Sequence, residues 1–375
     1  MNQWITSQSG LETWLETRKS LPALALDTEF MREKTFYPQL ALVQIGDADG
    51  KAALFDPLPE AEDGRDPRPD TPLTRLLSDA AIIKVMHSAS EDLQALLRYC
   101  NALPRPLFDT QIAAALCGMG PGLGYQRLIA ELLGAELDKS QTRSDWLRRP
   151  LSEAQQHYAA EDVTHLLAAY EILRDKLVAL GRLDWLQADC ERLLATGEDV
   201  PDPEPQLSFR PAERMNADQQ RLLRRLLRWR DQRARSRDLP RTWVIDNDSL
   251  LALIYRKPKS RNDFEQLLDA QKRAPRRARD ELYELINAEF SAEETDIPLS
   301  EPQSPWLRER SKPVRKAIAD LAEKLEIPEG LLCNRKLAEQ LVASGEWPDA
   351  LQGWRRELLE SELTPILQKS GLGAD

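Results

Sequence analysis

Residues 21–46 read LPALALDTEFMREKTFYPQLALVQIG. The stretch holds two apolar runs, Leu21–Phe30 and Gln39–Gly46, separated by charged and turn-forming residues. Runs of that length and composition predict two strands. The first passes from an apolar half into two acids, Asp27 and Glu29, as a strand does on leaving a core. Side chains alternate along a strand, so both carboxylates face one side. Neighbouring carboxylates repel each other and lose hydration, and a cation between them offsets both effects. Two solvated acids at a strand end is the plainer reading, and Asp-x-Glu alone does not decide between them.

Working outward, Ala52–Asp56 and Ala81–Met86 predict two more strands, the first close enough to Gln39–Gly46 for a hairpin. Asp56–Pro72 is acidic and proline-rich, a surface loop. From Ser90 the pattern turns helical, in EDLQALLRYC, TQIAAALCGM, YQRLIAELLG and SEAQQHYAAEDVTHLLAAYEILRDKL. Strands first and helices after predict a mixed sheet flanked by helices, an α/β or α+β domain over residues 1–197. Thr196–Pro211 carries four prolines among acids, so 198–211 reads as a linker. Beyond it the chain is almost wholly helical, with a proline-rich break at Ile297–Pro305. Two all-α bundles follow, at 212–292 and 298–375. They read as a diverged repeat, each with a long charged helix and then a short apolar stretch, NDSLLAL in one and PEGLLCN in the other.

The chain has 375 residues and a net charge of −11, from 51 Lys and Arg against 62 Asp and Glu. An acidic total argues against a phosphate-rich partner, but the charge is unevenly spread. Residues 1–210 carry −12, residues 211–290 carry +6 and residues 291–375 carry −5. The hydrophobic share of 42% is that of a globular protein. No run approaches the length of a transmembrane helix, and the N-terminus lacks the pattern of a signal peptide. No GxxxxGK[ST] loop is present, which excludes a P-loop helicase. Cys100, Cys117, Cys190 and Cys333 lie far apart without a CxxC, as expected of reduced thiols in a cytoplasmic protein.

Residues 221–241 hold nine arginines and two acids. Leu222, Leu223, Leu226, Leu227 and Trp229 form a core-facing helical stripe, which leaves the arginines to the remaining surface. Arginine suits bidentate phosphate contacts and stacking on bases. Arg221, Arg224, Arg225 and Arg228 are therefore candidate nucleic-acid contacts; a solvated face with paired charges is the alternative. A second basic cluster, KRAPRRAR, lies at 272–279. Lys139, Arg143 and Arg148, with Arg149, flank the segment that leads to Tyr158 and are candidates for gripping phosphates or for structural ion pairs.

Two further pieces complete the set. Asp92 follows the strand AIIKVM within HSASEDL, where an acid in a first helical turn is also favoured by the helix dipole. Tyr158 and Asp162 stand at i and i+4 in QHYAAEDV and share one helix face, with the small Ala159 and Ala160 between them. His157, at i−5 from Asp162, lies on another face of a regular helix. His157 and His165 read as surface or packing residues, and His87 as a packing residue or a neighbour that positions Asp92.

Together, Asp27-Thr28-Glu29, Asp92, Tyr158 and Asp162 resemble the DEDD exonuclease superfamily in its Tyr-containing branch. The segments LALDTEFMREKTFYPQLALVQIGD, HSASEDL, FDTQIAAAL and LDKSQTRSDWLRRPLSEAQQHYAAEDV are similar to the ribonuclease D family. The helical blocks look like its tandem HRDC modules. The resemblance implies a ribonuclease H-like exonuclease domain followed by two HRDC domains. It also implies a 3′→5′ exoribonuclease that releases 5′-monophosphates from the single-stranded 3′ ends of tRNA precursors. Two Mg²⁺ or Mn²⁺ ions are implied, bridged by Asp27. Glu29 and Asp162 would hold the ion beside the attacking water, and Asp92 would support the second. Tyr158 would orient the water, since a phenol that ordinarily titrates near 10 (about 10) is a poor base at neutral pH. A His-containing branch has His as general base at the spacing of His157. Other functions open to the same residues are a single-stranded DNA exonuclease and a non-catalytic RNA-binding scaffold. A monomer without membrane attachment is expected.

Overall fold

The computed structural model describes residues 2–60, 70–137, 141, 144–271, 275, 277–302 and 304–369. The chain divides into two compact units. The first comprises Met1–Met31, Gln39–Glu198 and Ser304–Asp375, the second Arg32–Pro38 and Asp199–Gln303.

In the first unit a six-stranded mixed sheet has the order β1-β4-β3-β2-β5-β6. The strands are β1 (Gln3–Ile5), β2 (Ala23–Met31), β3 (Gln39–Gly46), β4 (Ala52–Phe55), β5 (Ile83–Met86) and β6 (Leu107–Asp109). β2 and β3 are antiparallel, as are β3 and β4. β2–β5, β5–β6 and β1–β4 are parallel. The edge strands β1 and β6 lie beyond the four expected, because three residues are too few for alternation to register. β3 is buried beyond its first residue and β2 over Ala23–Leu26, as central strands covered on both faces are, while the acidic end of β2 is only partly buried.

Helices α1 (Gln8–Glu16), α2 (Pro72–Ser78), α3 (Asp92–Cys100), α4 (Thr110–Leu116), α5 (Tyr125–Leu133), α6 (Glu153–Thr164), α7 (Leu166–Ala179) and α8 (Leu183–Gly197) complete the α/β core. The run expected as one helix from 152 onward is two, α6 and α7, divided at His165. Ser152 and Gln155 close a capping box that starts α6.

The second unit is all-helical. It contains α9 (Ala217–Arg237), α10 (Arg241–Val244), α11 (Asn247–Arg256), α12 (Arg261–Asp269), α13 (Arg279–Asn287) and α14 (Ala292–Thr295). The stretch expected as a linker is folded here. It forms 3₁₀ turns at Pro205–Ser208 and Arg210–Arg214, and the buried Gln206 donates to the carbonyl of Pro298 at 3.0 Å. The segment between β2 and β3 also packs in this unit. Its Phe36 is buried in the helical core, and the backbone amides of Phe36 and Tyr37 both donate to Asp238 at 3.0 Å.

The C-terminal helices α15 (Pro305–Lys324), α16 (Glu329–Leu332), α17 (Arg335–Ser344) and α18 (Trp354–Lys369) belong to the first unit and share its hydrophobic core. A buried bidentate pair fixes α18 to α8: Arg355 reaches Asp189 at 2.5 and 2.8 Å.

α9–α11 and α15–α17 correspond position by position, 88 residues apart. Asp238 and Glu326 have positive φ, Pro240 and Pro328 precede four-residue helices, and Ile245 and Cys333 are extended. Asp246 and Asn334 cap ten-residue helices, in which Leu250, Leu253 and Ile254 are buried like Ala338, Leu341 and Val342. This register corrects the pairing expected from sequence. NDSLLAL matches RKLAEQL at 335–341, and PEGLLCN matches PRTWVID at 240–246.

Candidate active site

β2 delivers Asp27 and Glu29 to one face of the sheet, and α6 delivers Asp162. Carboxylate oxygens of these three residues all lie within 4.8 Å of one another. Two features of β2 support this. Its pairing with β5 ends at Ala25, which frees the strand's acidic end on that side. Its register with β3 shifts between Glu29 and Phe30, and an irregularity of that kind re-aims side chains. α6 lies close because β3 ends in Gly46, where a Cβ would stand 2.8 Å from the carbonyl oxygen of Val163, next to Asp162.

Asp92 stands outside this group of three. It is buried in the first turn of α3 and accepts a 2.5 Å hydrogen bond from the hydroxyl of Thr28, the residue between the two β2 acids. The turn that carries it is held by Asp109. That buried carboxylate accepts from the amides of Ser88 and Ala89 at 3.3 and 2.9 Å, and caps α4 through Gln111 and Ile112 at 2.8 and 3.1 Å. Ser88 has a φ of 58°, so the turn occupies a conformation that needs such support.

Burial sets the electrostatics, and mutual repulsion adds to it. The Asp27 carboxyl is pushed well above its ordinary range by desolvation, then by Asp162, Asp92 and Glu29. Glu29 is pushed up to about 9 by desolvation, then by Asp162 and Asp92. Asp92 and Asp162 each rise to about 7, chiefly through burial. The Gln44 amide, opposite Asp27 in β3, reaches its carboxylate at 3.5 Å, and the buried carbonyl oxygen of Gln44 has no partner among the described residues. Four carboxyls, Asp92 buried and the other three partly buried, resist ionisation together and form an oxygen-only donor set. Hard divalent cations match such a set, and their charge reverses its pKa logic.

Tyr158 is on α6 one turn before Asp162, its ring 6.1 Å from that of the buried Trp146. His157 faces outward: its side chain is 70% exposed and lies 3.5 Å from Glu161. His87 is held by the hydroxyl of Thr110 at 2.9 Å, and burial lowers its pKa.

The basic candidates differ in their surroundings. Lys139 and Arg143 lie outside the described residues, as do Lys272, Arg273 and Arg276 of the second cluster. Arg148 is exposed, and Arg149 is bonded bidentately to Asp56 at 2.6 and 2.9 Å. On α9, Arg221 is bonded to Asp218 and the carbonyl of Thr295. Arg224 is buried against Glu204 at 2.8 Å. Arg225 grips Glu294 with two 2.7 Å bonds and three carbonyls besides. Arg228 is half exposed, 3.2 Å from Glu293. Thr28, Gln44, Gly46 and Asp109 were not candidates on sequence. All four lie inside the segments that carry the resemblance, Thr28, Gln44 and Gly46 in LALDTEFMREKTFYPQLALVQIGD and Asp109 in FDTQIAAAL.

Residues 2–178 match the family model described as 3′-5′ exonuclease, and residues 219–286 match the HRDC domain. The chain is 42% identical over 372 residues to ribonuclease D of Xanthomonas oryzae pv. oryzae, with 99% of each chain covered. It is 38% identical over 377 residues to ribonuclease D of Pseudomonas paraeruginosa, covering 98% of each. Among solved structures, Escherichia coli RNase D superposes with a TM-score of 0.84 at 32% identity, covering 98% of this chain and 99% of that one. That structure is described as an exoribonuclease involved in structured RNA processing. Among the described residues, no helix is long and apolar enough to cross a membrane.

Proposed function

The chain belongs to the ribonuclease D family of nucleases, and on that premise we propose that it shortens RNA from the 3′ end, one 5′-mononucleotide at a time, with tRNA precursors as substrate. The observation that carries this reading is the convergence of Asp27, Glu29 and Asp162 from β2 and α6.

The donor set fits two divalent cations, Mg²⁺ or Mn²⁺, which Asp27, Glu29 and Asp162 would hold with the support of Asp92. Bound there, such ions activate the attacking water and offset the charge on phosphorus and on the leaving 3′ oxygen. The chain's own residues do the positioning. Thr28 and the Asp109-held turn fix Asp92. Gln44 steadies Asp27. Gly46 lets α6 seat Asp162. Tyr158, backed by Trp146, directs its hydroxyl to the attacking water and keeps it in line with the scissile bond. The exposed Arg148 and Arg228 are the candidates best placed to meet phosphates. The extensive bonding of Arg221, Arg224 and Arg225 supports a scaffold role for them.

We also assign α15–α18 as a second HRDC-type module, supported by the 88-residue correspondence with the matched one. A cytoplasmic monomer is the accompanying expectation.

The test is end-labelled tRNA carrying a 3′ extension, with products resolved by length. Wild type should give a one-nucleotide ladder with Mg²⁺ or Mn²⁺ and none in EDTA, and Asp27→Asn should give none in either while still binding RNA. Asp27→Asn with near wild-type activity would remove the site assignment. Equal cleavage of matched DNA would move the substrate class.

A further inference from the structure

The second unit contains a cavity of about 810 Å³, within the range of ligand sites. Its wall combines Tyr37 and Phe209 with prolines and Leu227, and it carries four arginines against two aspartates. The cavity's net charge is therefore positive.

Arg230 is the unusual member. Arg235 and Arg241 pair with Asp231, and Arg228 with Glu293. Among the described residues no carboxylate lies within ion-pair distance of Arg230. Its Nη1 donates to the neutral Asn247 at 2.8 Å, and its buried Nε has no acceptor. Burial, and then the charge of Arg241, lower its pKa. A buried donor left unsatisfied is destabilising, so the fold alone gives no reason for this arginine. The repeat makes the point independently: 88 residues on, the equivalent position is Ile318, which is fully buried. The scaffold accepts an aliphatic residue there, yet this module holds a cation facing a cavity.

We propose that this cavity binds a nucleotide of the RNA strand outside the catalytic site. The base lies against Tyr37 or Phe209, and a phosphate meets Arg230 with Arg228. Aromatic walls are sequence-tolerant base platforms, and a guanidinium without a carboxylate partner takes a phosphate. This rests on the RNA reading above. It adds to that reading a site built jointly by the Arg-rich helix and the segment that joins β2 to β3.

The test is binding of a fluorescent 20-nucleotide oligo(U) to the full chain in EDTA, with metal-dependent cleavage measured in parallel. Arg230→Gln should weaken binding about tenfold, the scale of one charged hydrogen-bond contact. It should also flatten the dependence of log K on log salt by about 0.7, the value for one phosphate contact on a single strand. Arg230→Lys should retain most of the affinity, and the exposed Arg315→Gln should match wild type. RNA carrying 4-thiouridine should crosslink to the peptides holding Tyr37 or Phe209. Unchanged affinity and salt slope in a folded Arg230→Gln would overturn the proposal while leaving the nuclease reading intact. Displacement of RNA by polyglutamate as readily as by unlabelled RNA would overturn it too, in favour of an acidic protein partner. Wild type that neither binds nor cleaves RNA would remove both.

Discussion

Gly46 lies directly against the backbone of Val163: a Cβ on the glycine would sit 2.8 Å from the valine carbonyl and 3.1 Å from its Cβ. The first contact is with backbone, so relief requires α6 to move. Val163 adjoins Asp162, so any such movement displaces a member of the carboxylate cluster. Gly46→Ala should therefore destabilise the fold by about 1–3 kcal/mol, the usual scale of overpacking. It should also lower kcat by about tenfold to a hundredfold, since a displacement near 1 Å is enough for that. Denaturant titration and single-nucleotide release read the two effects. Wild-type turnover in a destabilised Gly46→Ala would show that α6 can retreat without carrying Asp162 along.

Tyr158 and His157 are adjacent in sequence and point to different surroundings, one toward Trp146 and the other toward solvent and Glu161. Tyr158→Phe keeps the ring and removes only the hydroxyl. It should reduce kcat by about a hundredfold with RNA affinity nearly unchanged, as expected for loss of water positioning. His157→Ala should remain within about twofold of wild type, the ordinary result for an exposed side chain. The reverse ranking in a pH–rate comparison would make the histidine the general base.

The cluster also makes stability depend on pH. Asp27, Glu29, Asp92 and Asp162 all hold their protons more tightly folded than unfolded. Their contribution is fully present below the ordinary carboxylate range. It is lost as pH rises through about 7 for Asp92 and Asp162 and about 9 for Glu29. In EDTA, Tm should fall between about pH 4 and about pH 9, most steeply below about pH 7, and Asp162→Asn should lessen that fall. Mg²⁺ or Mn²⁺ should raise Tm, and by more at the alkaline end, because only ionised carboxylates bind them well. A cation effect independent of pH would count against these four as the ligands.

The parts of the site that follow a local period are legible in the sequence. Strand alternation pairs Asp27 with Glu29, and helical spacing pairs Tyr158 with Asp162. The parts that depend on contact between distant segments are not. Nothing near Gly46 in sequence announces Val163, and the four amides held by Asp109 come from two different turns. The arginine helix shows the same limit. Residues 221–241 hold only two acids, which leaves the arginines looking unpaired. Their partners Glu204, Glu281, Glu293 and Glu294 come from outside that window. The repeat was detectable from composition, but its register needed the positive-φ residues and caps that only the backbone displays.

Arg225 gives the sharpest separation of scaffold from substrate contact. Its side chain is 8% exposed, and Glu294, its partner, is held down at about 2 by the guanidinium. Glu294→Gln removes that charge with little change of shape. It should destabilise the helical unit by about 2 kcal/mol at neutral pH, as expected for one charge-assisted pair. A carboxyl whose folded pKa is depressed contributes above its ordinary pKa and loses that contribution as pH falls toward the folded value. The difference between wild type and Glu294→Gln should therefore shrink from about pH 5 downward and vanish near about pH 2. RNA affinity of the folded variant should stay within about twofold of wild type. A large loss of affinity at unchanged stability would instead place Arg225 among the residues that meet phosphate.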